Sequence, residues 1–318
     1  MNSVAVIMYH YVRDLSRSRY PGIRGLETRA FKEQIFRLNQ YYTFVGVEEI
    51  LEQLDHPGDS FPQKAALLTF DDGYMEHFTE VFPLLNSLDI PAAFFPPVCS
   101  TIERKALDVN KIHFILASED NAEYLLEKLT RLIIRYKSEF DLQDPVEYYN
   151  RIQLSEHPYD PLQIITFKRV LQRELPKPAR KKIIDELFSE IVGIDEDVFV
   201  EELYMKEHHI RLMLKNGMFF GGHGYSHDWL GSMDKSMQTY EVEQTRDFLK
   251  HLGADTDGWV MSYPYGDFND SLVGILKSRN CSLAFTDKGG EAIPHPENRY
   301  RVTRIDTNEP DDVSCDVG

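Results

Sequence analysis

Short apolar segments and amphipathic segments alternate along most of this chain. Runs rich in β-branched and aromatic residues occupy residues 4–9, 43–47, 65–70, 91–98, 218–222, 259–263, 282–286 and 300–305. Between them, apolar residues recur at helical spacing over residues 28–41, 47–54, 74–88, 233–252 and 271–278. Strands that alternate with helices predict βα units and a parallel sheet. Seven or eight such strands in 318 residues predict an α/β fold that closes into a barrel.

One long segment departs from this alternation. Residues 103–216 carry helical patterns in succession, most clearly over 123–136, 178–192 and 199–216. We therefore expect one domain over residues 1–318, with residues 103–216 as a helical insertion between two barrel strands. An insertion of this length can cover the mouth of the barrel as a lid or mediate homo-oligomerisation.

The charge balance limits the classes of partner. The sequence has 35 basic and 52 acidic residues and a net charge of −17, which disfavours nucleic acid and anionic membrane surfaces. No apolar run reaches the roughly 18 residues of a membrane span. The N-terminus lacks the pattern of a secretory signal, so we expect a cytoplasmic protein. The three cysteines, Cys99, Cys281 and Cys315, are widely spaced, which argues against a disulfide framework and a structural zinc knot.

Two adjacent carboxylates, Asp71 and Asp72, end one apolar run and precede Gly73. Successive strand residues point to opposite faces, so the strand must end here if both side chains serve one centre. Burying two like charges is unfavourable unless a cation or a reacting proton offsets it. The alternative from the residues alone is a helix N-cap, a position that favours Asp.

Two histidines four residues apart, His223 and His227, also follow an apolar run. On a helical turn this spacing places both side chains on one face, as in metal-binding histidine pairs. Gly221 and Gly222 precede them and allow a close approach of the backbone. The alternative is a pair of surface histidines in a loop.

A third motif, SYPYGDF over residues 262–268, follows another predicted strand. Pro264 and Gly266 constrain the backbone around Tyr265. This conformation could direct the Tyr265 N–H toward a developing oxyanion. A tight turn without a chemical role is the alternative.

The order TFDDG, HGYSH and YPYG, each after a predicted strand, resembles the polysaccharide deacetylase family with NodB homology. The resemblance covers residues 1–102 and about 213–306. It implies a distorted (β/α) barrel that hydrolyses the amide of N-acetylated sugars with a divalent metal. It also implies site roles: Asp72, His223 and His227 bind the metal, Asp71 deprotonates the water, and Tyr265 beside Pro264 contacts the substrate through its N–H.

The sequence departs from the family pattern at several positions. Gly224 stands where the family usually has Ser or Thr, and the arginine that opens the third motif is absent. Arg304 could instead orient Asp71. The C-terminal histidine that serves as general acid is also missing, and only His295 follows Tyr265. His10 resembles the acid of the exopolysaccharide deacetylase branch, where an N-terminal Tyr-His supplies it; a packed structural histidine is the alternative.

Together these features predict metal-dependent hydrolysis of an amide-linked acyl group, chiefly N-acetyl, on a sugar or glycan intermediate. One Asp and two His leave coordination positions open for water and a carbonyl oxygen. This set favours zinc, with cobalt, nickel, manganese and iron as alternatives. A nucleotide- or lipid-linked sugar is the favoured substrate. The competing functions are a catalytically impaired glycan-binding relative and an amidase acting on a formamido sugar or on a non-sugar amide.

Overall fold

A computed structural model describes residues 4–56, 61–152, 161–287, 289 and 295–307. The chain divides into two compact units. The first, here the sheet unit, comprises Met1–Asp14, Gly25–Lys105 and Val200–Gly318. The second, here the helical unit, comprises Leu15–Arg24 and Ala106–Phe199. The helical unit differs in extent from the predicted insertion at residues 103–216, since residues 200–216 group with the sheet unit and residues 15–24 with the helical unit. The bounds of the insertion therefore stay a prediction.

The described strands all belong to the sheet unit. They are β1 (Val4–Tyr9), β2 (Val12–Arg13), β3 (Leu26–Glu27), β4 (Thr43–Phe44), β5 (Ala65–Asp71), β6 (Ala92–Phe95), β7 (Phe219–Phe220), β8 (Val260–Ser262), β9 (Leu283–Phe285) and β10 (Ile305–Asp306). A parallel sheet runs in the order β10-β1-β5-β6-β7, with β4 also paired to β5. β8 and β9 form a separate parallel pair. The mixed α/β fold with parallel strands is therefore as predicted.

The central strands are buried on both faces, which explains their continuous apolar sequence. Every residue of β1 and β5 is buried. Alternate side chains divide between two clusters because neighbours on a strand face opposite ways. One cluster contains Ala5, Ile7, Tyr9, Ala66, Leu68 and Phe70, and the other contains Val4, Val6, Ala65 and Leu67. The sheet is thus covered on both sides, and its strand ends are the places open to chemistry.

The described helices follow the predicted segments with local differences. They are α1 (Thr28–Tyr41), α2 (Val47–Asp55), α3 (Phe82–Ser87), α4 (Val98–Thr101), α5 (Asp108–Ser118), α6 (Ala122–Phe140), α7 (Pro145–Asn150), α8 (Leu162–Arg169), α9 (Lys177–Ile191), α10 (Glu196–Leu203), α11 (Glu207–Lys215), α12 (Lys235–Leu252) and α13 (Asp270–Ser278). The segment predicted as one helix over residues 74–88 is a π-helical turn, His77–Val81, that continues into α3. Among the described helices, none is both long and apolar enough to cross a membrane.

A buried lysine organises the interior of the helical unit. The Lys111 Nζ atom lies 2.6 Å from a carboxylate oxygen of Asp185 and 2.6 Å from one of Glu196. Both acidic side chains are partly exposed, whereas that of Lys111 is buried. The pairing of one buried cation with two carboxylates offsets the cost of removing the lysine from water.

The longer of the two segments of the helical unit, Ala106–Phe199, leaves the sheet unit and returns to it at neighbouring residues. The Arg104 guanidinium donates to the Val200 carbonyl oxygen at 3.0 Å and pairs with Glu201 at 3.1 Å. Residues on either side of the long helical segment are thereby joined within the sheet unit. Cys99 and Cys281 are free thiols, and Cys315 lies outside the described residues.

Candidate metal centre and active site

The Asp-Asp pair occupies the end of β5, as expected. Asp71 is the last residue of the strand, and Asp72 and Gly73 both adopt left-handed backbone conformations, with φ of 70° and 68°. A Cβ at Gly73 would lie 2.7 Å from the Pro96 Cβ, so only glycine fits there. The left-handed turn costs Asp72 roughly 1–2 kcal/mol. This strain separates the two carboxylates into different environments.

Asp72, His223 and His227 converge on one point. The Asp72 Oδ1 atom lies 3.5 Å from the His223 Nε2 and 3.1 Å from the His227 Nε2. The candidate ligand atoms of the three residues all lie within 4.8 Å of one another. Within the described residues, the buried Asp72 Oδ1 accepts no hydrogen bond. A buried carboxylate oxygen between two imidazole nitrogens fits a divalent cation.

Neighbouring groups fix the orientation of these side chains. The His223 Nδ1 atom lies 2.7 Å from the Ser262 carbonyl oxygen. Because a carbonyl only accepts, Nδ1 carries the proton and the Nε2 lone pair faces Asp72. The Tyr74 hydroxyl donates to the Asp72 Oδ2 at 2.6 Å. Such contacts behind the ligands are typical of metal sites, since they set the tautomer and the ring orientation.

The two histidines do not lie on a helical turn, which corrects the backbone expected from their spacing. Residues 223–227 form a loop after β7. Gly224 with φ of 75° and His227 with φ of 54° bend this loop. The left-handed residues bring the imidazoles together, with ring centroids 4.9 Å apart.

The second carboxylate, Asp71, is held by Arg304. The guanidinium donates to the Asp71 Oδ1 at 3.0 Å and to its Oδ2 at 2.7 Å, and the Ser262 hydroxyl donates to Oδ2 at 3.1 Å. Burial would raise the pKa of Asp71, but the charge and hydrogen bonds of Arg304, together with smaller contributions from His223 and His10, outweigh burial and lower the pKa to about 2. Asp71 is therefore ionised at neutral pH. Arg304 contacts Asp71, and its role in orienting this carboxylate stays a prediction.

His10 lies beside the two carboxylates. It follows β1 directly, and the register pairs Tyr9 with Phe70, the residue before Asp71. Electrostatic interaction with the His10 imidazole is the smallest of the named causes that lower the pKa values of Asp71 and Asp72. The His77 Nε2–H donates to the His10 carbonyl oxygen at 2.8 Å and fixes this strand end. By contrast, His295 is 45% exposed and hydrogen-bonds within its own loop.

Tyr265 adopts the strained backbone predicted for the YPYG motif. Its φ is 57°, and its ring lies edge-on to that of His227 with centroids 5.0 Å apart. The ring also stacks on Trp229 at 4.3 Å, and Pro264 is buried beneath this turn. Tyr265 therefore lies next to a candidate ligand. Its role as an oxyanion donor stays a prediction.

Sequence reasoning missed several supporting residues. Tyr74, Ser262, Trp229 and His77 contact the site, but none had been assigned a role. Ser262 opens the quoted SYPYGDF motif and Tyr74 directly follows TFDDG, so their positions were available as a signal. His77 gave no signal, because a buried histidine in an amphipathic segment looks like a core residue.

Comparison with known proteins bears on the same segments. A family model for polysaccharide deacetylase matches residues 58–113 and 193–283. These segments contain the Asp-Asp pair, both metal-site histidines and Tyr265, whereas His10 and Arg304 lie outside them. Poly-beta-1,6-N-acetyl-D-glucosamine N-deacetylase of Escherichia coli K12 is 36% identical over 97 residues, which is 30% of this chain. The match spans 14% of the length of that relative.

Solved structures share the fold. The Streptococcus pyogenes deacetylase PplD in complex with acetate has a TM-score of 0.56 and 16% identity, covering 96% of this chain and 92% of its own. IcaB from Ammonifex degensii has a TM-score of 0.56 and 19% identity, covering 98% and 94%. The family match and the sequence similarity together show that this chain resembles the polysaccharide deacetylases, among them a poly-N-acetylglucosamine deacetylase.

Proposed function

We propose that this chain is a metal-dependent carbohydrate N-deacetylase that releases acetate and a free amine from an N-acetylated amino sugar. The convergence of Asp72, His223 and His227 next to an arginine-held Asp71 carries the proposal. Similarity to a poly-N-acetylglucosamine deacetylase supports a glycan of N-acetylglucosamine as the substrate class. The proposed substrates thus include a glycan polymer, whereas the sequence alone favoured a nucleotide- or lipid-linked sugar.

The residues divide the chemistry between them. Asp72, His223 and His227 would hold a divalent cation, for which this N,N,O ligand set favours zinc, and the cation would supply Lewis acidity toward a carbonyl oxygen and toward water. The Asp71 carboxylate accepts the proton of the attacking water, while Arg304 and Ser262 hold its oxygens in place. The Tyr265 N–H stabilises the developing oxyanion. His10 donates the proton that lets the amine leave.

We also propose that the strands of the sheet unit close into a distorted barrel. Isolated bridges pair Gly222 with Met261 and Phe285 with Val302, which supports contact between β8–β9 and both ends of the main sheet. In this arrangement the ends of β1, β5 and β8 surround one site. The cytoplasmic location and oligomerisation through the insertion stay predictions, which cell fractionation and sedimentation would test.

Metal content tests the ligand set. We expect Asp72→Ala, His223→Ala and His227→Ala each to lower zinc occupancy, because two protein ligands remain. Asp71→Asn is the matched control, since Asp71 pairs with Arg304 rather than with the histidines. Elemental analysis of the purified proteins measures the outcome. Full occupancy in all three ligand variants would reject the centre.

Acetate release tests the reaction. The substrate is an oligomer of β-1,6-linked N-acetylglucosamine, and general acid or base assistance is typically worth about 10²–10⁴-fold. Asp71→Asn and His10→Ala should therefore lose activity on this scale while they keep the metal. An activated amide with a leaving group that needs no proton should rescue only His10→Ala. Binding of the oligomer without acetate release by the wild type would favour the glycan-binding relative.

A further inference from the structure

A third carboxylate, Glu241 of α12, lies behind the loop that joins the two metal-site histidines. Its side chain is buried, with 1% of the residue exposed. One oxygen, Oε2, accepts from the Tyr225 N–H at 2.7 Å and from the Ser226 N–H at 3.0 Å. The other, Oε1, accepts from the Ser226 hydroxyl at 2.5 Å. These three donors offset the cost of burying the carboxylate, and all belong to the segment between His223 and His227.

The opposite side of the same loop is also fixed. The backbone N–H groups of Val98 and Cys99, at the start of α4, donate to the carbonyl oxygens of Gly224 and Tyr225 at 3.2 and 2.9 Å. The N–H groups of the loop thus face Glu241, and its carbonyl groups face α4. A loop held in this way has little freedom to change the separation of its two imidazoles.

The glycine at position 224 fits this arrangement. A Cβ there would lie 3.3 Å from the Glu241 Oε2 and 3.5 Å from the Pro264 Cγ, and the φ of 75° itself disfavours other residues. A Ser or Thr side chain would therefore crowd the carboxylate that organises the loop. Gly224 therefore leaves room for the Glu241 carboxylate beside the loop.

We propose that Glu241 is a positioning residue that sets the His223–His227 geometry for metal binding. The inference rests on the proposed metal centre. Contacts that orient metal ligands from behind are typically worth about 10–100-fold in metal affinity. We expect Glu241→Ala to weaken zinc binding on this scale. Glu241→Gln should lose less, because the amide oxygen can accept both N–H groups and the amide nitrogen can donate to the Ser226 hydroxyl.

The experiment measures zinc affinity by competition with a chromophoric chelator and the melting temperature of the metal-free protein. Glu243→Ala is the matched control, because Glu243 lies on the same helix but pairs with Arg279 at a partly exposed site. It should keep wild-type zinc affinity. A lower melting temperature with unchanged zinc affinity in Glu241→Ala would show a merely structural role and overturn the proposal.

The test still gives an answer if Glu241→Ala does not fold or if the wild type binds no zinc. If Glu241→Ala does not fold, Ser226→Ala replaces it; this variant removes one donor to Glu241 and should weaken zinc binding several-fold. Unchanged zinc affinity in Ser226→Ala would then refute the positioning role. If the wild type itself binds no zinc, the proposed metal centre fails. Equal affinity in the wild type and Glu241→Ala refutes only the role of Glu241.

Discussion

Replacing Arg304 by Gln should destabilise the metal-free protein through Asp71. Both side chains are buried, with 1% and 2% exposure, and they share two hydrogen bonds. Removing one partner of a buried ion pair costs about 3–5 kcal/mol, because a charge remains buried without compensation. We expect a loss of this size at pH 7, measured by urea unfolding in the presence of a metal chelator.

The sign of the pH dependence follows from the pKa of Asp71. In the wild type, burial would raise this pKa, but Arg304, with smaller contributions from His223 and His10, outweighs burial and lowers it from 3.8 to about 2. The lowered pKa is worth roughly 2 kcal/mol of stability, which is present above pH 4 and is lost as the pH falls toward 2. Without Arg304, burial raises the pKa of Asp71. The variant then gains stability as the carboxylate protonates, so the difference from wild type should shrink between pH 7 and pH 4.5.

Arg301→Gln provides the control. Arg301 pairs with Asp270 at 2.8 Å, but these side chains are 56% and 92% exposed. An exposed pair contributes at most about 1 kcal/mol. If Arg304→Gln loses no more stability than Arg301→Gln, or loses the same amount at both pH values, the electrostatic account of Asp71 is wrong.

Four other substitutions test separate parts of the fold. Burial lowers the pKa of His77 from 6.5 to about 4. The wild type should therefore lose about 3 kcal/mol of its free energy of unfolding as the pH falls from 6.5 to 4. His77→Gln should not show this loss, and chemical unfolding across this pH range measures it. Gly266→Ala places a Cβ 1.8 Å from the Asp287 Oδ1 at a φ of 59°, so it should distort the YPYG turn and lower the melting temperature. Gly274→Ala, in open space on α13, should instead stabilise the protein by about 0.5–1 kcal/mol in thermal unfolding. Lys111→Met should lower the free energy of unfolding in urea by about 1.5–3 kcal/mol, because it removes the charge-assisted hydrogen bonds to Asp185 and Glu196. An unchanged free energy of unfolding would show that these bonds contribute nothing to stability.

The sequence predicted the buried centre of the sheet more closely than its margins. β1 and β5 match their apolar runs because both faces are covered. The strand expected over residues 300–305 begins only at Ile305, and a single bridge at Val302 precedes it. Short strands of this kind depend on their neighbours in space, and a local pattern does not contain that information.

In the candidate site, too, some residues could be predicted from the sequence and others could not. Asp72 and the two histidines could be grouped from motifs, because each follows a strand and parallel strands end at one edge. The backbone that joins His223 to His227 could not be predicted, since a left-handed conformation at a histidine such as His227 has only a weak sequence signal. Glu241 was also missed. Its importance comes from the loop that it contacts, 15 and 16 positions earlier in the chain.

The contact between Arg104 and Val200 affects how well the chain can tolerate insertions and deletions in the long helical segment. It joins the points where the long helical segment departs and returns, so that the segment is a closed loop anchored at its base. The entropy of closing such a loop grows only logarithmically, by about 0.6 kcal/mol for each doubling of length. Selection can therefore lengthen, shorten or exchange the helices between these residues at little cost to the sheet. The family model matches residues on both sides of this segment and passes over residues 114–192.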